Sequence, residues 1–209
     1  MPESADTAIA NIALTKLGAA RLLDITDDVK AARAVRALWD ITRDSELRSH
    51  NWRFSIKRAL LPALASPPPW GFDYAYQLPN ESLRVIQVDE FTPGADLSDY
   101  RESLTAPYQL EADPNQVGTN IIVTDIGPPL KVRYVARIEP PGYWDGSFKS
   151  VFVCRLAMDL CEELTQSNTK RQLAQTEYMA AIREAVRTNA IERPNEPLQD
   201  DTWILSRLS

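Results

Sequence analysis

The stretch that most constrains this chain lies between residues 60 and 80, where Pro67, Pro68 and Pro69 stand in a row before Trp70, ahead of a Leu78-Pro79 pair. Proline lacks a backbone N–H and fixes its own φ, so this passage is closed to regular helix. The pattern upstream of it is helical, and the pattern downstream is that of strands. From Arg43 to Pro79 the chain therefore joins three unlike things: a helix end carrying Trp52 and Phe54, a stiff loop, and a Leu-Pro corner that leads into a sheet.

Upstream, the pattern predicts two helices. The first runs from Asp6, as N-cap, to Leu17, with Ile9, Ile12, Ala13 and Leu17 on one face and Gly18 in the left-handed position that ends helices. The second runs from about Asp27 to Asn51, its first turn acidic and its apolar face formed by Ala31, Ala32, Val35, Leu38, Trp39 and Thr42. Trp39 and Trp52 are expected in the core.

Downstream, Leu83 to Val88 and Asn120 to Thr124 are short runs bounded by turn residues, and Tyr108 to Glu111 is a weaker one. Leu130 to Arg137 alternates apolar and basic, as a half-buried antiparallel strand does. The polar segment Phe91 to Tyr100 is expected as a loop. Helix returns at Ser147 and continues to about Gln166 on a broad apolar stripe that includes Phe148, Phe152, Leu156, Leu160 and Leu164. A last helix starts at Asn168 or Thr169, with Leu173, Met179, Ile182, Val186 and Ala190 expected inward, and stops before Pro194. The expectation is an α+β fold: a four-helix framework built from residues 1–60 and 147–193 around an inserted antiparallel sheet or sandwich in 61–146. Residues 194–209 are read as an extended arm, polar and proline-broken at first, then Thr202-Trp203-Ile204-Leu205.

Composition narrows the chemistry. The 209 residues carry a net charge of −6, which argues against a sequence-independent grip on DNA phosphates. Arg48, Arg53, Lys57 and Arg58 form a local basic group, expected on a solvated helix face. No apolar run has the length of a membrane helix, and Met1 to Asp6 lacks the order of a secretory signal, so synthesis and use on the cytosolic side are expected. Cys154 and Cys161 fall seven residues apart on one helix, roughly 10 Å along its axis, which is too far for a disulfide. They are expected as small buried apolar groups.

Catalytic constellations are sparse. His50 is the only histidine, no nucleophile-elbow motif accompanies it, and its expected role is at a helix C-terminus. Neither a dinucleotide fingerprint nor a P-loop occurs. A glycosidase needs two carboxylates facing each other across a cleft. Asp159 with Glu162 or Glu163, Asp27 with Asp28, and Asp99 with Glu102 are the pairs available, and the first set projects from one helix. No catalytic residue, metal ligand or cofactor is assigned. A glycan or peptidoglycan hydrolase using such a pair stands as the alternative class. A DNA-reading helix is a third, and Arg33 and Arg36 beside Asp27 and Asp28 read better as solvent or intersubunit charges.

The order of these residues resembles a known family. Ala13-x-x-Lys16-Leu17-Gly18, Ala31-Ala32, Arg43-Asp44 with Leu47, Trp52-x-Phe54, Ala59-Leu60, the proline–aromatic loop, Tyr76-x-Leu78-Pro79 with Leu83-Arg84-Val85, the strand at Leu130 to Ala136, and a closing helix pair with Tyr178 and Ala185 succeed one another as in the tail tubular protein A family. These are the head-to-tail adaptor, or gatekeeper-ring, proteins of short-tailed phages. The resemblance departs at Asn51, where a proline often precedes the Trp, and at Asn80-Glu81, where an acidic pair is more usual. It implies a structural virion protein made in the host cytoplasm. Such a protein forms a ring of twelve copies between the portal protein and the tail nozzle or tube, with DNA passing through without sequence-specific binding. Trp203, Ile204, Leu205 and Leu208 are the expected partner-binding residues, facing the portal or a neighbouring subunit.

Overall fold

The computed structural model describes residues 4–89, 108–114, 116 and 118–191. The fold is α+β, with four helices and two small antiparallel three-stranded sheets. Helix α1 spans Ala5–Leu17 and α2 spans Lys30–Ser49. Next come strands β1 (Ile56–Leu61), β2 (Tyr74–Gln77), β3 (Ser82–Val88), β4 (Tyr108–Ala112), β5 (Asn120–Thr124) and β6 (Leu130–Ala136), and then helices α3 (Gly146–Thr165) and α4 (Asn168–Ile191).

Helix α1 begins earlier than its expected cap, because Ser4 accepts from the Thr7 N–H and Asp6 falls inside the first turn. Gly18 ends it at φ 67°, its N–H bonded back to Leu14 and Thr15 carbonyls. Helix α2 starts later than Asp27, since Asp24 and Asp27 are used in a turn: Asp27 Oδ2 accepts from the Asp24 N–H at 3.0 Å. The buried Asn11 side chain holds that connection, donating to the Leu22 carbonyl at 2.9 Å and accepting from the Leu22 N–H at 2.7 Å. Helix α2 ends at Ser49, so Trp52 and Phe54 lie beyond it, Phe54 in a single 3-10 turn at Arg53–Ser55.

Two strand segments that periodicity does not single out flank the prolines. Strand β1 begins at Ile56, ahead of residue 61, and pairs along its whole length with β6; β2 pairs with β5. One sheet has the order β1-β6-β3 and the other β2-β5-β4. Their facing sides share a core of Leu61, Tyr76, Val88, Ile122, Leu130 and Val132, so the insertion is a small sandwich. The proline loop folds over the outer side of the second sheet, where Leu64 and Phe72 pack on Ala75, Ile121 and Val123.

Helix α3 is the central element. Phe148, Val151, Phe152, Leu156 and Leu160 are wholly buried, and α1, α2 and α4 all pack on it. The first sheet joins this core through Val135, with Leu83 and Ile86 beside it. Helix α4 differs from expectation in the face it buries. Ala174 and Ala185 are buried, with Tyr178, Ala181 and Ile182 partly so, whereas Leu173, Met179 and Val186 are exposed. Alanines face α3 because small side chains let two helix backbones approach closely. Helix α1 buries Ile9, Ala13 and Leu17 as expected, with Ala10 and Leu14 beside them, and exposes Ile12. No helix among the described residues is long and apolar enough to cross a membrane.

Candidate functional site

Trp203, Ile204, Leu205 and Leu208, together with the rest of the arm from residue 194, lie outside the described residues. So do the Asp99–Glu102 pair and the expected loop from Phe91 to Tyr100. The remaining candidates occupy four places in the fold.

The first is a polar knot inside the helical framework. Glu46 is 1% exposed, at heptad spacing from Trp39 and one turn beyond Thr42, so it points into the core with them. Tyr178 Oη on α4 donates to Glu46 Oε1 at 2.9 Å, and Arg155 Nη1 on α3 approaches the same oxygen at 3.5 Å. Arg155 Nε bonds Asp159 at 3.0 Å, Thr42 donates to Asp159 at 3.3 Å, and the guanidinium lies 5.5 Å from the Tyr178 ring centroid. Trp52 Nε1 donates to the Glu46 backbone carbonyl at 2.8 Å. Burial raises the Glu46 carboxyl above its ordinary range, against the pull of Tyr178 and Arg155. The knot ties α2, α3 and α4 together and fixes Trp52 beneath them. Its sequence signal is a Glu at an apolar heptad position, which a search for catalytic pairs passes over.

One member of the first carboxylate set, Asp159, belongs to this knot. Asp159 is engaged by Arg155 and Thr42, and Glu162 is paired with Arg171 at 3.3 Å. Asp28 is paired with Arg33 at 2.6 Å, and Asp27 closes the turn before α2. Arg36 donates to the Ile25 and Asp27 carbonyls at 2.7 and 3.1 Å. These charges stabilise the entry to α2. Among the described residues no three His, Cys, Asp or Glu side chains are grouped to hold a metal ion.

His50 caps α2 in extended backbone, its Nδ1 2.7 Å from Ser49 Oγ and its ring tilted on Trp52 at 5.8 Å. Burial and the nearby Arg84 push its pKa down, which favours the neutral ring. Cys154 and Cys161 are free and buried; burial raises the Cys154 thiol, which disfavours the reactive thiolate.

The second place is a cleft of about 680 Å³ between framework and sandwich, bordered by Phe54, Lys57, Glu81, Arg137 and Tyr143. Most of its charges are paired: Lys57 bonds both Glu81 oxygens at 3.0 and 2.9 Å, and Arg137 bonds Asp44 at 2.8 Å, while Glu139 also lines it at the surface. Tyr134 also donates to Glu81 at 2.9 Å, and its own pKa is pushed up to about 12 by burial and by that carboxylate.

The third is the outer end of the β1-β6-β3 sheet. The expected helix-face basic group is divided here: Arg48 on α2 donates to the Leu83 carbonyl, Arg53 lies in the 3-10 turn, and Lys57 and Arg58 lie on β1. Register brings Arg58 opposite Arg133, and Arg133 opposite Gln87, in one row across the sheet. Leu60 and Lys131 form the next pair.

The fourth is the proline loop, which presents Trp70 to solvent at 84% exposure while its neighbour Phe72 is tucked against the second sheet. Leu23, Ile41 and Tyr143 are large apolar or aromatic groups exposed elsewhere, on separate elements.

Comparison with known proteins gives no assignment: no protein-family model matches the chain, and no curated protein matches it.

Proposed function

We propose that this chain is a structural virion protein, the head-to-tail adaptor that joins a portal protein to the tail nozzle or tube as a ring, most simply of twelve copies, around the DNA path. The reading rests on the order of motifs that resembles the tail tubular protein A family. The single structural observation that carries it is Trp70. A large aromatic side chain follows three consecutive prolines, whose fixed φ stiffens the loop, and stands 84% exposed. Aromatic groups presented at low entropic cost are the usual anchors of protein interfaces. In the ring, Trp70 meets a neighbouring subunit or partner, the helical framework supplies rigidity, and the arm containing Trp203 to Leu205 attaches to the portal. With a net charge of −6, most of the surface repels the DNA that passes.

Two variants test the division of labour by co-sedimentation with the cognate portal. Deletion of residues 196–209 is expected to abolish portal binding with the helical circular dichroism unchanged. Trp70→Ala is expected to weaken ring formation with thermal stability unchanged. Retained portal binding by the deletion, together with normal rings from Trp70→Ala, would remove both contacts on which the reading depends.

A further inference from the structure

The row of cations on the β1-β6-β3 sheet is unusual in an acidic chain. Arg58, Lys131 and Arg133 border a groove of about 440 Å³ with exposed Leu60 at its side; Ala59 and Val132, which alternate with them, turn their side chains to the sandwich core on the opposite face. Lys131 has Asp89 at 3.5 Å. Among the described residues neither Arg58 nor Arg133 has a carboxylate partner, and the buried Nε of Arg133 has no hydrogen-bond acceptor. The groove thus offers two guanidinium groups without a carboxylate partner among the described residues, beside the exposed Leu60 side chain, on a sheet where β1 is an edge strand. Arginine forks take carboxylates and phosphates alike; the exposed Leu60 beside them favours a ligand with apolar groups next to its acids, which an acidic peptide supplies.

The chain contains one such sequence, Asp200-Asp201-Thr202-Trp203-Ile204-Leu205. Its point of departure is close to the groove. Near the end of α4, Asn189 donates to the Asn51 carbonyl at 3.0 Å, and the Asn51 side chain accepts from Arg84 on β3. From Arg84, β3 runs past Gln87 to the groove, about 10 Å along the strand. Residues 192–199 reach up to about 26 Å when extended, more than enough to cover that path.

We infer that this acidic and apolar segment, residues 200–205, docks in the chain's own Arg58–Leu60–Lys131–Arg133 groove, with Asp200 and Asp201 against the guanidinium groups and Trp203 to Leu205 beside Leu60. The sheet then sheaths, in the free protein, the same apolar residues that the adaptor reading assigns to the portal. The docking itself does not depend on that reading. The pairing is partly ionic, so it weakens as salt rises.

Hydrogen exchange of the full-length protein, read by mass spectrometry without any portal, tests the docking alone. Residues 200–205 are expected to exchange about tenfold more slowly than the same segment as a synthetic peptide. The Asp200→Lys/Asp201→Lys variant and the Arg58→Glu/Arg133→Glu variant should each erase that protection, and the four changes combined should restore it. Circular dichroism checks that each variant is folded; the tail variant leaves every described residue untouched. Peptide-like exchange in the unaltered protein would overturn the proposal, as would protection that survives Arg58→Glu/Arg133→Glu or is not restored by the combination. Protection that grows with protein concentration would assign the groove to a second copy instead. A response to Arg58→Glu/Arg133→Glu confined to residues 90–107, which adjoin Asp89, would assign it to that segment and equally overturn the proposal.

Discussion

The helical framework and the β-sandwich are held together by different physics. Six aromatic rings interlock in the framework: Phe148 meets Trp52, Phe54 and Trp144 edge-on at 5.1 Å each, and Trp39 meets Phe152 at 4.9 Å. Among them runs one buried carboxylate knot at Glu46. The sandwich has a thinner core of aliphatic residues and tyrosines, and its hydroxyls reach outward, Tyr76 to the Ile126 carbonyl at 2.6 Å and Tyr134 to Glu81. Its ionic groups sit at the surface, some in pairs and some, as at Arg58 and Arg133, with no carboxylate partner among the described residues. Shape and a few buried charged groups, Glu46 and Arg43 on α2, set the framework's geometry, whereas strand register sets the sandwich's and leaves its surface available for contact.

The largest expected effect is therefore in the framework. Phe148→Ala should cost about 3–5 kcal/mol, because it leaves a cavity among several rings that cannot collapse together. Ile122→Ala in the sandwich core should cost about 2–3 kcal/mol. Denaturant titrations measure both, and equal costs would break the comparison.

Next comes Glu46. Glu46→Ala should cost about 2–3 kcal/mol, because it strips Tyr178 and Arg155 of their buried acceptor. Glu46→Gln keeps an acceptor for Tyr178 and removes the burden of a buried charge, so its cost at pH 7 should be much smaller. The two regions also differ in the sign of their pH dependence. Burial holds the folded Glu46 carboxyl above its ordinary value of 4.5, so the folded state binds that proton more tightly than the unfolded chain. Its contribution is fully present below pH 4.5 and is lost as pH rises through the raised value. Glu81 behaves oppositely: the bond from Lys57 lowers its carboxyl, so its contribution is present above 4.5 and is lost as pH falls through the lowered value. Stability measured against pH should lose the first step in Glu46→Gln and the second in Glu81→Gln.

Two substitutions should have smaller effects. Gly18→Ala should cost about 1 kcal/mol, since φ 67° strains any side chain even though the nearest atom, Lys170 Nζ, is 3.5 Å from the new carbon. Lys57→Ala should change stability by about 0.5 kcal/mol or less, because the Lys57–Glu81 pair is two-fifths exposed and screened. Thermal melts resolve the first and bound the second.

How much of the molecule is legible in the sequence varies by element. Gly18 announces the end of α1, and the alternation in β6 marks both its span and its two faces, because each depends on local rules of backbone conformation and strand period. Strands β1 and β2 escape such a reading. The first comes directly after a 3-10 turn and carries adjacent basic residues, and the second is only four residues long and stands beside the prolines. Both gain their identity from pairing with β6 and β5, which are distant in sequence. On α4, counting large apolar residues chooses the wrong face, because tight packing on α3 rewards alanine and leaves Leu173 outside. The basic row on the sheet is invisible for a similar reason: Arg58 and Arg133 become neighbours only through register. The four arm residues, Trp203, Ile204, Leu205 and Leu208, rest on sequence alone.

The most direct test of the adaptor reading is negative-stain imaging of the purified protein, alone and mixed with its cognate portal. The reading predicts twelve-fold rings, or portal rings lengthened by one added layer. Persistent monomers that leave the portal unchanged would contradict it.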